Sequence, residues 1–393
     1  MKRKRPSLRI AADRLLCRPG FGIPFFFAVL SAVFFLSFYG IGDTLSRFLE
    51  SVLLRWGKLA AEAFLRLGAS AFAVRFLIGG VYGGLASAVA FLPQTLVFFL
   101  LVRALEACGY LARASYVTDH FFRRFGLSGK AVIPLLLGYG CAVSSVCACA
   151  EGSSGDDAVI RALPFVPCNA RLPVLLFLAD AFFPESKVLF AVSFFALSLA
   201  LIFLSLLLSP SGSKTPAREE TLPPYRLPRG RELLREAADT SRGYLLRAGT
   251  AVGICCAVFS ALAMLTPALT FTGDPSRSLL YRFAAWIAPV FRPLGFGCPE
   301  AAAALIFGFF AKENMIGIFQ LTGDGLFSLF TPARAVSFTA FSMFYAPCAS
   351  LLTAVARRSG ITEAVKLFFR TLTIAYILSL ILYTISHLLF LNC

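Results

Sequence analysis

Seven stretches of at least 20 residues carry no Asp, Glu, Lys or Arg: Pro19–Gly42, Phe76–Val102, Ala131–Ala150, Val188–Ser213, Ala248–Gly273, Ala335–Ala356 and Thr371–Cys393. At the rise of an α-helix, each is long enough to cross a hydrocarbon core of about 30 Å. A soluble domain could not bury so much apolar sequence: 58% of the 393 positions are hydrophobic, and the mean hydropathy is +0.78. Two further apolar segments, Ala162–Phe183 and Gly297–Phe319, are long enough to span but carry charges near their middles. The expected fold is an all-α polytopic membrane protein with about eight or nine transmembrane segments. In lipid the backbone must satisfy its own hydrogen bonds, and uninterrupted apolar runs do so as helices.

The amino terminus, Met1-Lys2-Arg3-Lys4-Arg5, is basic and precedes a long apolar run. A cleaved signal peptide has a shorter apolar core and a small-residue cleavage site, so Pro19–Gly42 reads as a retained helix that starts in the cytoplasm. The net charge of +16 fits the positive-inside bias and attraction to anionic membrane lipid rather than nucleic acid. Eleven cysteines would form a disulfide framework in a small secreted chain, but most of these lie inside apolar segments, where a thiol is usually a small buried hydrophobe. Two histidines, His120 and His387, are too few for a histidine metal relay.

The chain divides at Lys214–Arg247, a Pro-rich, mixed-charge linker. Residues 1–18 form a basic cytoplasmic N-terminus, 19–213 a first membrane half, 214–247 the linker and 248–393 a second membrane half. Asp43–Arg75 sets apolar residues at helical spacing against Arg47, Glu50, Arg55 and Lys58, the pattern of a helix lying in the interface. Arg103–Lys130 reads as a basic loop broken at Gly109, Gly126 and Gly129.

Each half carries a small-aromatic-small-Cys turn followed by a Pro-Cys. The first half has Gly138-Tyr139-Gly140-Cys141 and Pro167-Cys168 (within 167–173). The second has Gly295-Phe296-Gly297-Cys298 and Pro347-Cys348 (within 345–348). Glycine and proline interrupt helices, and in membranes an interrupted helix is tolerated where it lines a cavity or is buried in protein. Interruptions at corresponding positions of two halves mark a transporter's binding site, and inverted repeats are a recurrent way to build one. Each interruption here also bears a thiol, a soft ligand for transition metals. A transport site must release its ion, so two thiolates with carbonyls or water suit it better than a closed four-Cys cage. Cys141, Cys168 and Cys348 are therefore the candidate metal ligands, with Cys298 the weaker case. Glu313, in Ala311-Lys312-Glu313, is read either as a cation ligand or as half of a structural pair with Arg171. No phosphate-binding P-loop and no nucleophile–base arrangement is present, which argues against an enzyme.

Several spaced motifs together resemble the membrane region of the bacterial ferrous iron transporter FeoB family. They include Pro19-Gly20-Phe21-Gly22-Ile23-Pro24, Glu106-Ala107-Cys108-Gly109-Tyr110, Gly126-Leu127-Ser128-Gly129-Lys130, Gly138–Cys141, Pro167–Pro173, Pro293–Gly297, Ala311–Glu313 and Tyr345–Cys348. The resemblance covers nearly the whole chain and implies two gate repeats with broken helices. It also implies ferrous iron as transported substrate with no permanently bound cofactor, and Cys141, Cys168, Cys348 and Glu313 along the pathway. Two departures stand out. The family usually has Asn-Val-Pro after the first gate cysteine, where this chain has Ala142-Val143-Ser144-Ser145, and Cys298 is not part of the usual pattern. The family also carries a GTP-binding domain ahead of its first span, and this chain begins about where that domain would end. The expected partners are therefore a separate GTPase chain, a small cytoplasmic accessory protein, membrane lipid and further copies in a homo-oligomer, without nucleic acid.

The leading expectation is a multi-pass permease of the bacterial inner membrane for a divalent transition metal, with ferrous iron the first candidate. The alternatives are a permease for another solute such as a nucleoside, or a non-transporting membrane subunit that anchors a soluble partner.

Overall fold

The protein is described from a computed structural model covering residues 13, 15–90, 92–149, 154–209, 225, 230–231, 235, 239, 257–258, 260–266, 270, 277–310, 312, 315 and 330–391. Regular structure among the described residues is helical. In chain order the main helices are α1 (Pro19–Phe38), α2 (Ile41–Arg66), α3 (Gly83–Ala90), α4 (Leu92–Ala107), α5 (Tyr110–Phe122), α6 (Val132–Gly140), α7 (Ala142–Ala148) and α8 (Ser154–Ala162). They continue as α9 (Leu172–Phe182), α10 (Lys187–Leu207), α11 (Leu279–Ile287), α12 (Pro299–Phe310), α13 (Pro332–Phe344), α14 (Ala349–Ser359) and α15 (Ile361–Leu391).

Four helical runs among the described residues are long and apolar enough to cross a membrane: Gly20–Arg66, Lys187–Leu207, Pro332–Ser359 and Ile361–Leu389. The number becomes six if two sharply bent pairs each count as one span, α4 with α5 at 81° and α11 with α12 at 102°. This is a multi-pass membrane protein, and among the described residues several of the expected apolar stretches are interrupted. The reason is local. Phe76–Val102 contains two Gly-Gly pairs and Pro93, and its first part winds as a π-helix over Arg75–Tyr82 before α3 and α4. Ala131–Ala150 is split at Cys141, and Ala162–Phe183 at Pro167–Arg171. The helix left after that second break, α9, has 11 residues and reaches only about 16 Å. Most of Ala248–Gly273 lies outside the described residues.

By internal contacts the chain forms two compact units that alternate along the sequence. One comprises Met1–Leu53, Val89–Leu163 and Leu204–Arg247; the other comprises Leu54–Ala88, Pro164–Phe203 and Ala248–Cys393.

In the first unit, α1 packs on α4 and α5 around Val33, Phe98 and Phe99. Aromatic edges do much of the filling: Phe34 lies 5.7 Å from both Phe98 and Tyr139. Gly140 is required there because a Cβ would sit 2.4 Å from the Phe98 ring. Much of the expected basic loop is instead helical, in the end of α4 and in α5. Gly109 and Gly126, both with positive φ, bound this helical stretch rather than interrupting a loop, and Tyr110, Leu111, Ala114, Val117 and Phe122 give it a buried face. The same helix buries Arg113. Its Nε donates to the Asp13 carboxylate at 2.9 Å, its Nη1 donates to the Gly109 carbonyl, and its guanidinium stacks 3.7 Å from the ring centroid of linker residue Tyr225. The Tyr225 hydroxyl donates to the same Asp13 oxygen at 2.7 Å.

Helix α2 forms as its periodicity requires. Leu45, Phe48, Trp56 and Leu59 stay 48–70% exposed, leaving an apolar face of the kind an interfacial helix presents to lipid.

In the second unit, α13 and α15 pack closely because Ala335, Ser337, Thr339, Ala340, Thr371, Ala375 and Ser379 are all small and fully buried. Ser337 and Ser379 hydroxyls lie 2.8 Å apart; Ser379 donates to the Ser337 carbonyl, and Ser337 reaches the Leu294 carbonyl at 2.7 Å. Phe291, Phe296, Phe338 and Phe341 interlock beside this seam, with ring centroids 5.2–5.8 Å apart.

Two predictions follow from this packing. Ser379→Leu should destabilise the protein in detergent by about 1–3 kcal/mol through overpacking, whereas Ser379→Ala should cost only about 0.6 kcal/mol. Equal melting temperatures for the two variants would contradict the close seam. The second concerns pH. The Arg113 hydrogen bond holds the Asp13 carboxyl below its ordinary value of 3.8. Its contribution to stability is therefore complete above that value and is lost as the pH falls through the lowered one. Acid melts of Asp13→Asn should show a correspondingly weaker pH dependence at the acid end than the parent.

Candidate functional site

All four motif cysteines stand where one helix ends and another begins. Cys141 has extended backbone, φ −150°, between α6 and α7. Cys168 lies in the non-helical stretch before α9, and its carbonyl accepts from the Arg171 amide. Cys298 immediately precedes α12, and Cys348 precedes α14, its carbonyl accepting from the amides of Leu351 and Leu352.

Cys141 belongs to the first unit and is half-buried against the Val33–Phe98–Phe99 cluster. The departure after it has a structural role. Ser145, fully buried on α7, donates its hydroxyl to the Pro134 carbonyl of α6 and so ties the two sides of the break together. Cys147 is exposed and Cys149 buried, so the three closely spaced thiols do not face one environment.

The second unit brings Cys168 and Cys348 into one electrostatic neighbourhood with Arg171, Lys312 and Tyr345. Both cations are 4% exposed. The Arg171 Nη1 donates to the carbonyls of Pro164 and Val166, the ones released where the chain leaves the helix, and its Nε has no hydrogen-bond partner among the described residues. The Lys312 ammonium donates to the Ser342 carbonyl at 3.1 Å and lies 4.3 Å over the Tyr345 ring. The Tyr345 hydroxyl donates to the Leu305 carbonyl at 2.8 Å. Two thiols, two buried cations and one aromatic ring thus surround the two Pro-Cys breaks.

Glu313 lies outside the described residues. Asp180, the other charge in its apolar segment, is 69% exposed and pairs with Lys187 at 3.1 Å, a surface contact away from the thiols. Among the described residues no three His, Cys, Asp or Glu side chains converge as a metal cage. Sequence reading marked Arg171 and Lys312 as charges in apolar surroundings but did not count them with the thiols. It missed Tyr345, whose only signal was its place two residues before Pro347-Cys348.

The family described as "Gate: Nucleoside recognition" matches residues 88–182 and 245–362, which include all four motif cysteines. The chain is 31% identical to the Fe(2+) transporter FeoB of Staphylococcus aureus strain MSSA476 over 395 residues, covering 96% of this chain and 59% of that protein. It is 29% identical to the Fe(2+) transporter FeoB of Methanocaldococcus jannaschii over 343 residues, covering 81% and 51%. It is also 29% identical to an Fe(2+) transport protein A/Fe(2+) transporter FeoB fusion protein of Porphyromonas gingivalis, covering 80% and 44%. The chain therefore spans between 44% and 59% of the length of these relatives. No solved structure matches it. With a family model matching across all four motif cysteines and relatives aligned along nearly its whole length, the chain belongs to the Gate, nucleoside recognition family and corresponds to the membrane region of the FeoB family.

Proposed function

We propose that this chain is a permease for ferrous iron, with Cys168 and Cys348 as soft ligands for the ion in transit and Cys141 and Glu313 as further contributors along the path. The observation that carries this reading is the grouping of the two Pro-Cys thiols with Lys312 and Arg171 at two helix breaks of one unit. The relatives' names, Fe(2+) transporter, support the choice of cargo. Two thiols hold an ion less firmly than a four-thiolate cage, which suits a site that must release it.

In this reading the protein sits in the bacterial cytoplasmic membrane with its N-terminus inside, surrounded by lipid and assembled as a homo-oligomer. It works with a separate GTPase chain and a small cytoplasmic accessory protein. The Porphyromonas gingivalis relative, whose name joins a transport protein A to FeoB, supports such an accessory partner. The nucleoside reading draws on the family's description alone. An uncharged nucleoside has no use for two buried cations beside two thiols.

The test is flux into sealed vesicles holding the purified chain and an Fe²⁺-quenched dye, with a radiolabelled nucleoside run in parallel. Cys168→Ser with Cys348→Ser should cut iron flux by at least about ten-fold, the loss that even an outer-shell partner of a metal site produces. Cys141→Ser alone should give a smaller decrease. Iron flux unchanged in the double variant would remove thiol ligation from the mechanism, and nucleoside uptake without iron uptake would replace the proposal.

A further inference from the structure

The break ahead of Cys168 releases consecutive carbonyls, and each of them meets a side-chain donor. Helix α8 ends at Ala162, a single 3-10 turn covers Leu163–Phe165, and the next helix begins only at Leu172. Pro167 has no N–H to offer and biases Val166 toward extended backbone, so helical pairing stops there. Pro164, Phe165 and Val166 are nevertheless all buried, where an unpaired carbonyl is costly. The Arg171 Nη1 donates to the carbonyls of Pro164 and Val166, the latter at 3.3 Å, and the Ser198 hydroxyl donates to that of Phe165.

Arg171 also closes the far side of the loop. Its amide donates to the Cys168 carbonyl at 2.9 Å, and its own carbonyl accepts from the Leu175 amide at 3.0 Å in the first turn of α9. The side chain thus grips the backbone just before Cys168, and the main chain grips Cys168 itself. One residue, 4% exposed and standing at the N-cap of α9, holds the loop on both sides of the thiol. A guanidinium suits this work, because it keeps its charge in any protein environment and fixes its donors in one plane. The loop is held from outside as well. Ser198 belongs to α10, and the Phe165 ring lies 6.5 Å from that of Phe344, the last residue of α13 before the Tyr345–Cys348 break.

We propose that Arg171 is the positioning residue of the Cys168 thiol: through its carbonyl bonds it fixes the Pro-Cys loop, and with it the place at which the sulfur is presented. The consequence for transport rests on the reading of Cys168 as an ion ligand, whereas the clamp stands on hydrogen bonds alone. A ligand held in this way keeps its position when an ion leaves. That matters for a site that must release and rebind, since ordering a mobile loop on each occasion weakens binding. A purely electrostatic role for Arg171 gives a different expectation, because the Pro164 and Val166 carbonyls would then be irrelevant to the thiol.

The test uses the full chain in mild detergent, alkylated with N-ethylmaleimide and followed cysteine by cysteine by peptide mass spectrometry. Fe²⁺ flux into vesicles is measured in parallel. The thiolate is the reacting form, so loss of a neighbouring positive charge by itself slows alkylation, whereas release of the loop speeds it by admitting the reagent. We expect Arg171→Gln to accelerate alkylation of the half-buried Cys168 about ten-fold, the scale of one buried hydrogen bond to a charged group. The buried Cys149 should keep its rate, which marks local release rather than unfolding. Ser198→Ala frees one carbonyl of the same loop without altering any charge, and should accelerate Cys168 by a smaller factor. Arg171→Lys keeps the charge with a shorter reach, and should fall between the parent and Arg171→Gln. The Fe²⁺ concentration for half-maximal flux should rise about ten-fold in Arg171→Gln, as for other residues that orient a metal ligand. Unchanged or slower alkylation of Cys168 in these variants would overturn the proposal whatever the flux. Faster alkylation with unaltered flux would keep the clamp and remove Cys168 from the path of the ion. If Arg171→Gln fails to fold, Ser198→Ala and Arg171→Lys still decide, because no acceleration in either overturns the clamp.

Discussion

Every break in a membrane helix releases backbone carbonyls that lipid cannot hydrate, and at several breaks among the described residues a side chain supplies the missing donor. Arg171 takes the carbonyls of Pro164 and Val166, and Ser198 takes that of Phe165. Lys312 takes the Ser342 carbonyl, Tyr345 that of Leu305, Ser337 that of Leu294, and Ser145 that of Pro134. The cations beside the thiols thus have two duties. They hold the irregular backbone open, and they set the electrostatic field in which the thiols sit. A neutral replacement would disturb both at once, because a buried carbonyl without a donor costs on the order of 1–3 kcal/mol.

The two small-aromatic-small-Cys turns show how one motif takes on different surroundings. At Cys141 the turn is pressed into aromatic packing, and Gly140 exists to let Phe98 approach. At Cys298 the turn stands on the rim of a hollow with two arginines. The thiol is common to both, but its neighbours are not. Repetition along a sequence therefore carries the backbone device, a helix interrupted at glycine, more faithfully than it carries the chemistry.

Much of this organisation was legible in the sequence. The α-helical membrane class, the amphipathic α2, the long α10 and α15, and the breaks at all four cysteines followed from apolar run length and from glycine and proline placement. The misread parts have physical causes. Helix α5 was hidden because Arg113, Asp119 and Arg123 made its window look like a solvated loop, whereas Arg113 is buried against Asp13 and Tyr225. The span over residues 76–102 was overcounted because hydropathy does not register winding, and the π-helical turn over Arg75–Tyr82 leaves the apolar content unchanged. The hollow beside Cys298 was invisible because Arg334 joins Arg292 only through the packing of α13, and no linear pattern connects them.

The contact of Tyr225 with Asp13 and Arg113 has a consequence in the statistics of the chain. The Tyr225 hydroxyl and the Asp13 carboxylate join positions 212 residues apart and close a very large loop. Closure entropy rises only with the logarithm of loop length, so this closure is little more demanding than one several times shorter. Tyr225 is thereby joined to the start of the chain for an entropic cost close to that of a much shorter closure.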